Sequence, residues 1–352
     1  VTTHDERIQL RAFEGCIPLN VTLELSMRCN LRCVHCYNFD RELAYLPGRA
    51  RSEELSDSEI HRILDEVRAE GCLYFGFTGG EALLHPSLAE FVRHAAESGM
   101  AVRVKSNGTL LRADTVRALV EAGAASIDLS LYGATAATHD AFVKVAGAWQ
   151  RTVEGAQRAR DAGLAVRLNA IVVQSNAAEV QGMLELAAEL GVSCNLDLQI
   201  TARYDGSRSS LDLAVDRATL EALHRGPLHH LVPGGAGARK SIQCACARSV
   251  CGVTCFGDVV PCIGAPMWSG SLREQSFHEV WTRSPQLSWI RGLTEDDFAA
   301  CKDCAHLPYC RRSSGAIYSN SGVYNGPAKF GDDFVCMEAE VLHQIHDARQ
   351  PD

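Results

Sequence analysis

Between residues 17 and 215 the chain repeats one alternation. A short apolar or β-branched run is followed by a polar turn, an amphipathic stretch and a glycine. The runs are 20–26 (NVTLELS), 73–78 (LYFGFT), 101–106 (AVRVKS), 126–131 (SIDLSL), 165–173 (AVRLNAIVV) and 193–200 (SCNLDLQI). Their composition and their bounding turn residues predict six strands. Gly71, Gly99, Gly123, Gly163 and Gly191 precede the last five runs, where a helix stops because glycine accepts left-handed backbone. Ile60, Ile63, Leu64 and Val67 recur at helical spacing behind Ser56 and Glu59, a capping box followed by an apolar face. Strands alternating with helices imply a parallel sheet wrapped by helices. Six units in about 200 residues fall short of the eight of a closed barrel. The expected fold is therefore α/β, a partial (β/α)6 TIM-like barrel, with a doubly wound open sheet as its rival. Both put the site at the C-terminal strand ends. Those ends are polar here: Ser26, Thr78, Ser106, Ser130 and Gln199, with Asn169 inside the fifth strand.

The alternation ends near residue 215. DGSRSS and PGGAGARK make 205–243 rich in turn residues, with one helix expected near 216–225. From 244 onward Cys, Gly and Pro dominate, and helical period returns only at about 337–348. A small domain that orders itself around metal fits this stretch. The expected division is an N-terminal segment (1–16), the barrel (17–215), a linker (216–243) and a cysteine-rich domain (244–352).

Composition narrows the function. The chain has 352 residues, 46% of them hydrophobic, with a formal net charge of -9 and no Lys/Arg run. Such a balance gives no footprint for nucleic acid. No apolar run reaches membrane-spanning length, and Val1 to Arg11 is polar and mixed in charge, unlike a signal peptide. A cytoplasmic protein is expected. Fifteen cysteines suit either a disulfide framework or metal ligation. Their short gaps and the absence of an export signal favour metal.

Cys29, Cys33 and Cys36 lie in MRCNLRCVHCYN, directly after the first strand. Three thiolates with these gaps reach one small metal centre from a single loop. A four-iron cluster normally takes four thiolates, so three leave one iron open to an outside ligand. The competing reading is a zinc knuckle with a distant fourth ligand.

This loop and the segments after it resemble the radical S-adenosylmethionine (SAM) superfamily. His35 falls where the family has a residue packing on the adenine. Thr78-Gly79-Gly80-Glu81 resembles the family's glycine-rich motif, whose backbone and Glu contact the SAM amino group, although Ala82 stands where Pro is common. Ser106-Asn107-Gly108 and Ser130-Leu131-Tyr132-Gly133 resemble later strand-end motifs lining the SAM pocket, to which Asn169 belongs by position. Lys144 or Arg167 is the candidate for the SAM carboxylate. The resemblance implies a 4Fe-4S cluster at Cys29, Cys33 and Cys36. It also implies reductive cleavage of SAM to a 5′-deoxyadenosyl radical that abstracts a hydrogen atom. A reductant such as flavodoxin or ferredoxin would supply the electron.

The later cysteines run QCACARSVCGVTCFGDVVPC, CKDCAHLPYC and FVC. They resemble the SPASM domain, which houses two auxiliary iron–sulfur clusters. The resemblance gives the second auxiliary cluster Cys301, Cys304, Cys310 and Cys336. It gives the first Cys244 and Cys262, with Cys251 the first choice for a further ligand and Cys246 or Cys255 as alternatives. The family has another cysteine four residues after the equivalent of Cys310, and here that residue is Ser314. Ser314 ligating through oxygen, a smaller cluster and an open iron are the readings this leaves. Zinc at the CxxC pairs is the rival for the whole domain. Spare thiols, Cys194 or Cys255, are candidates to donate a hydrogen atom to a substrate radical.

SPASM enzymes commonly modify ribosomally made peptides or proteins by crosslinking, thioether formation, decarboxylation or oxidation, and that is the leading expectation. A peptide-binding partner would then be a separate protein, since about sixteen residues precede the first strand. The alternative is oxidation or epimerisation of a small molecule: a sugar, an aminocyclitol or a tetrapyrrole. A non-enzymatic iron–sulfur or zinc protein is the third class. Gln199, Arg203 and Asp205, near the sixth strand's end, are candidates to face substrate.

Overall fold

A computed structural model describes residues 3–232, 242–326 and 334–349. The 233–241 part of the expected linker lies outside the described residues. Six parallel strands, β1 (Asn20–Glu24), β2 (Tyr74–Thr78), β3 (Ala101–Ser106), β4 (Ser126–Ser130), β5 (Ala165–Ile171) and β6 (Ser193–Asp197), fall inside the six expected runs. Between and after them come helices α1 (His4–Glu14), α2 (Asp57–Ala69), α3 (Leu88–Glu97), α4 (Ala113–Glu121), α5 (Ala136–Val143), α6 (Ala148–Asp161), α7 (Val180–Glu189) and α8 (Arg217–Arg225). The C-terminal part adds β7 (Val250–Val253), β8 (Val259–Val260), α9 (Phe277–Arg283), α10 (Pro285–Gly292), α11 (Ala299–Lys302), α12 (Ser314–Ser321) and α13 (Phe334–Asp347).

Local chemistry explains most boundaries. Ser56 and Glu59 form the capping box that starts α2. All five expected stop glycines have positive φ, from 65° to 98°. Helix α1, in the polar N-terminal segment to which the sequence assigns no element, also has a capping box, Thr3 with Glu6. Its one fully buried residue is Ala12, so no apolar stripe announces it.

The sheet order is β6-β5-β4-β3-β2-β1-β7-β8. Residues 21, 23, 75, 77, 102, 104, 127, 129, 166 and 168 point to the helix layer. There they join Ile60, Ile63, Leu64, Val67, Phe91 and Val92 in one continuous core. Burying each of the large side chains contributes about 2 kcal/mol. The opposite face is polar, and Lys105, Arg167, Ser193, Asn195 and Asp197 on it are exposed. A doubly wound sheet would bury both faces. Helices on one face only, with an open polar concavity on the other, make this the partial barrel.

Strand β7 is not in the sequence reading. It lies parallel to β1, with Asn20 opposite Val250 and Leu23 opposite Val253, and β8 returns antiparallel to it. The cysteine-rich region therefore supplies the seventh and eighth strands of the main sheet. Four residues, VCGV, carry too little periodicity to announce a strand. They pair because β1 would otherwise present a bare edge.

A chain ending at residue 243 leaves that edge of β1 unpaired. The expected outcome is aggregation or a lower melting temperature than the full chain, measured by size exclusion and thermal melts. An equally stable truncated chain would make β7 an accessory.

Candidate active site

The loop after β1 carries Cys29, Cys33 and Cys36 and has no helix or strand of its own. Neighbouring elements fix its shape. Gly80 N donates to Ser26 O at 2.6 Å and Glu81 N to Arg28 O at 2.8 Å. The approach is so close that a β-carbon on Gly80 would lie 2.0 Å from Arg28 O. From α5, Val143 O and Phe142 O accept from Arg32 N and Val34 N. The Arg203 guanidinium donates to Cys36 O at 3.1 Å and Val34 O at 2.9 Å. Arg41 donates through Nε to Cys36 Sγ at 3.0 Å and through Nη1 to Met27 O.

Burial pushes the Cys29 thiol up to about 11 and the Cys33 thiol well above its ordinary value. Neighbouring thiols add to this and Arg41 opposes it. Without a bound cation these groups stay protonated, and a metal centre converts them to thiolates. Among the described residues no three His, Cys, Asp or Glu side chains close around a single ion. The three thiols border one cavity of about 460 Å³ instead.

His35, Thr78, Gly79, Gly80, Ser106, Asn107, Ser130 and Asn169 all line the same cavity. Asn107 Nδ2 lies 3.9 Å from Cys29 Sγ and donates to Asn30 Oδ1 at 2.8 Å. His35 packs against the stacked pair Tyr132 and Phe142, with centroids 4.7 and 4.9 Å away. Burial, with Arg203 nearby, lowers its pKa to about 4, so the ring is neutral.

Glu81 is the exception in this set. It is 2% exposed. Its carboxylate accepts from Leu83 N, Ser106 Oγ and Asn107 N at 2.7–2.9 Å. It clamps the second strand end to the third from behind the cavity wall, where the sequence reading expected it to face a ligand. Lys144 is also elsewhere, paired with Glu42 at 2.7 Å, whereas Arg167 lines the cavity.

Arg103, Lys105 and Asp128 line the cavity too, and the sequence reading passed over them. The signal was present: in AVRVKS the two cations alternate with valines, so they share the face opposite the core. Arg103 lies 3.8 Å from Asp128. Lys105, beside the same carboxylate, and Arg167 leave this layer net cationic.

The expected substrate residues are not in the cavity wall. Arg203 is 7% exposed, and its donors go to the cysteine loop and to Ser207 and Ser209. Asp205 accepts from Asp40 N and Ser207 N. Gln199 N donates to the Asp197 carboxylate at 2.9 Å. Cys194 stands opposite Leu168, on the helix-facing side of the sheet, so it points away from the cavity. Cys255 is fully buried among Met27, Phe39, Leu46 and Phe256.

The C-terminal cysteines correct one expectation. Cys251 stands opposite Val21 in β7, and its Sγ contacts Gly252 O and Val260 O in the core. Cys246, one of the two alternatives, lies beside both Cys244 and Cys262. Cys301 and Cys304 share one turn, and Cys310 and Cys336 pack against Ile317 and Val335.

One buried acid was also missed. Glu24, at the end of β1, is fully buried, with Oε1 accepting from Tyr37 OH at 2.8 Å and Oε2 unpartnered. Burial raises its pKa to about 7 against the pull of Tyr37 and Arg41.

Comparison with known proteins agrees with this geometry. The Radical SAM superfamily model matches residues 23–187, and the SPASM iron–sulfur cluster-binding domain matches 244–305. The AdoMet-dependent heme synthase of Methanosarcina barkeri is 27% identical over 87% of this chain and 94% of its own length. Mycofactocin maturase MftC of Mycobacterium tuberculosis is 28% identical over 88% of the chain and 82% of its own. The PqqA peptide cyclase of Methylocella silvestris is 28% identical over 93% and 91%. Streptococcus suis SuiB bound to its precursor peptide SuiA shares the fold, with a TM-score of 0.69 at 17% identity over 94% of this chain and 80% of SuiB. AdoMet-bound anSMEcpe does so at 0.64 and 16%, over 94% and 98%.

The fold and the cysteine loop thus define an iron–sulfur enzyme that works on bound SAM. The chain belongs to the radical SAM superfamily and carries a C-terminal SPASM domain. Among the described residues no helix is long and apolar enough to cross a membrane.

Two outcomes test the geometry. Gly80→Ala forces the cysteine loop off Arg28, costing at least about 1–3 kcal/mol locally. Iron bound per chain is expected to fall by about four, the share of the Cys29–Cys36 site, while far-UV circular dichroism is retained. For Glu24, the folded state holds its proton up to about pH 7, whereas the unfolded chain releases it near the ordinary carboxylate value. That stabilisation is complete below the unfolded pKa and is lost as pH rises through the folded one. Glu24→Gln is expected to gain about 3 kcal/mol over wild type between pH 5 and pH 8 in denaturant unfolding.

Proposed function

We propose that this chain uses radical SAM chemistry to modify a ribosomally made peptide, as an oxidoreductase-type maturase. Cys29, Cys33 and Cys36 would hold a four-iron cluster that, once reduced by an external one-electron donor, would supply the electron for splitting SAM into methionine and a 5′-deoxyadenosyl radical able to take a hydrogen atom from the substrate. The observation that carries this reading is the single cavity rimmed by Cys29, Cys33 and Cys36 and by the backbone of Thr78 to Gly80.

The chain's own residues take the following roles. The three thiolates hold the cluster, and Arg41 steadies the Cys36 sulfur. His35 offers a neutral flat ring for the adenine. Asn107, Ser130 and Asn169 supply polar contacts along the rim, and Arg167 meets the SAM carboxylate. Glu81 and Arg203 keep the walls in register. In the C-terminal region Cys301, Cys304, Cys310 and Cys336 form one auxiliary site, and Cys244, Cys246 and Cys262 form most of another.

Two relatives similar over most of their length, a mycofactocin maturase and a peptide cyclase, support the peptide. The second reading is a carboxylate-bearing tetrapyrrole. The heme synthase relative favours it, as do the cations Arg103, Lys105 and Arg167 on the inner face.

Anaerobically reconstituted protein with dithionite and SAM is expected to yield 5′-deoxyadenosine. Alanine at Cys29, Cys33 and Cys36 together should reduce the yield to background. A peptide encoded beside the gene should gain a defined mass change in the same mixture. A mass change in an iron porphyrin carrying propionates, with none in the peptide, would select the second reading. No 5′-deoxyadenosine from iron-replete wild type would overturn both.

A further inference from the structure

Cys244, Cys246 and Cys262 come together as one set of three thiols, each in hydrogen-bond contact with the next. A four-iron cluster held by these three alone keeps one iron open, and a fourth protein ligand closes it. All fifteen cysteines lie within the described residues, so the uncommitted thiols can be checked in turn. Cys251 and Cys72 are locked in the core between the sheet and the helices. Cys194 is on the far strand, facing the same layer. Cys255 sits in a separate apolar cluster. Cys16 lies in the turn after α1, where Trp281 Nε1 donates to its carbonyl.

The start of α12 does reach this set, and its first residue is Ser314. It is 0% exposed, and its Oγ has no hydrogen-bond partner. The next residue is Gly315. A β-carbon on Gly315 would lie 2.6 Å from Cys262 Sγ and 3.7 Å from Cys246 Sγ. The missing side chain therefore leaves the start of α12 in direct contact with the sulfurs. The hydroxyl is not needed as a helix cap, because Ser313 caps the helix by accepting from Ala316 N. A buried hydroxyl with no partner is destabilising, and alanine would avoid that. Tyr324, the other oxygen nearby, already has its hydroxyl on Cys244 Sγ at 3.2 Å.

We propose that the first auxiliary cluster is held by three cysteines and one serine: Cys244, Cys246, Cys262 and Ser314 through its oxygen. The inference rests on the radical SAM and SPASM reading above. On ligation the Ser314 O–H bond breaks, its proton leaves to solvent, and an Fe–O bond forms with no change in electron count. An alkoxide is a harder donor than a thiolate and favours the ferric state. The site then has a lower reduction potential than its all-cysteine counterpart.

The test uses the full chain with Cys29, Cys33 and Cys36 changed to alanine, so that only the auxiliary sites load. Ser314→Cys and Ser314→Ala are compared with the serine protein by iron count, Mössbauer and electron paramagnetic resonance spectra, and redox titration. In the serine protein one iron site should give a Mössbauer doublet distinct from the all-thiolate irons. Ser314→Cys should keep the iron, abolish that doublet and raise the midpoint potential. Ser314→Ala should lose up to about four irons or change the spectrum of the reduced protein. Identical iron, spectra and potential in all three proteins would overturn the serine ligand and leave the radical SAM reading intact. A parent chain with its native Cys29, Cys33 and Cys36 that binds no iron after reconstitution would overturn both. Ser314→Cys adds only a sulfur-for-oxygen exchange, so it keeps the test decisive if the alanine variant misfolds.

Discussion

A loop without secondary structure cannot hold three thiols in register by itself, and every part of this site follows from how that is solved. The Cys29–Cys36 segment is hung from other elements by their hydrogen bonds. The glycine pair after β2 approaches Arg28 backbone to backbone, the end of α5 accepts from Arg32 and Val34, and Arg203 reaches the loop from beyond β6. These anchors come from widely separated parts of the chain, so the loop takes its shape only when the barrel has closed as far as it does. That is preorganisation of a site by rigid neighbours. It also explains why Arg203 and Glu81, which the sequence offers as contacts for substrate and cofactor, are turned into the wall.

The polar inner face is the second consequence. A closed eight-stranded barrel fills its centre with branched apolar side chains. Here the same positions carry Arg103, Lys105, Asp128, Arg167, Asn195 and Asp197, and several are exposed within the concavity. Charges placed there keep the centre hydrated until something displaces the water. The layer below the cysteines is therefore built to receive polar or anionic groups. An apolar guest would leave those charges without partners.

Legibility in the sequence followed the physical range of each signal. Strands and helices were readable because hydrophobic alternation and stop glycines are local, and all six strands lie within the expected runs. The cysteine loop and the rim residues at strand ends were readable for the same reason: Thr78 to Gly80, Ser106, Asn107, Ser130 and Asn169 all reach the cavity. What was not readable depends on direction. Cys194 and Cys251 differ from useful thiols only in which face of a strand they occupy, and a shift of one residue reverses that. Strand β7 depends on a pairing with β1 across more than two hundred residues, which no local window contains.

Strand β7 links these points. It makes β1 an interior strand, flanked by β2 and β7, so the base of the cysteine loop is fixed from both sides. The same segment leads directly to Cys262 and on to Gly264, whose amide donates to Tyr204 OH at 2.9 Å. Tyr204 N in turn donates to Tyr37 O, next to Cys36, and the two rings meet edge to face at 5.5 Å. A movement of the C-terminal cysteine set is therefore carried into the loop through backbone bonds at both ends. The two regions look like separate domains in sequence, but their sites share one framework. A change at Cys262 or Ser314 acts on the same rigid body as a change at Cys36.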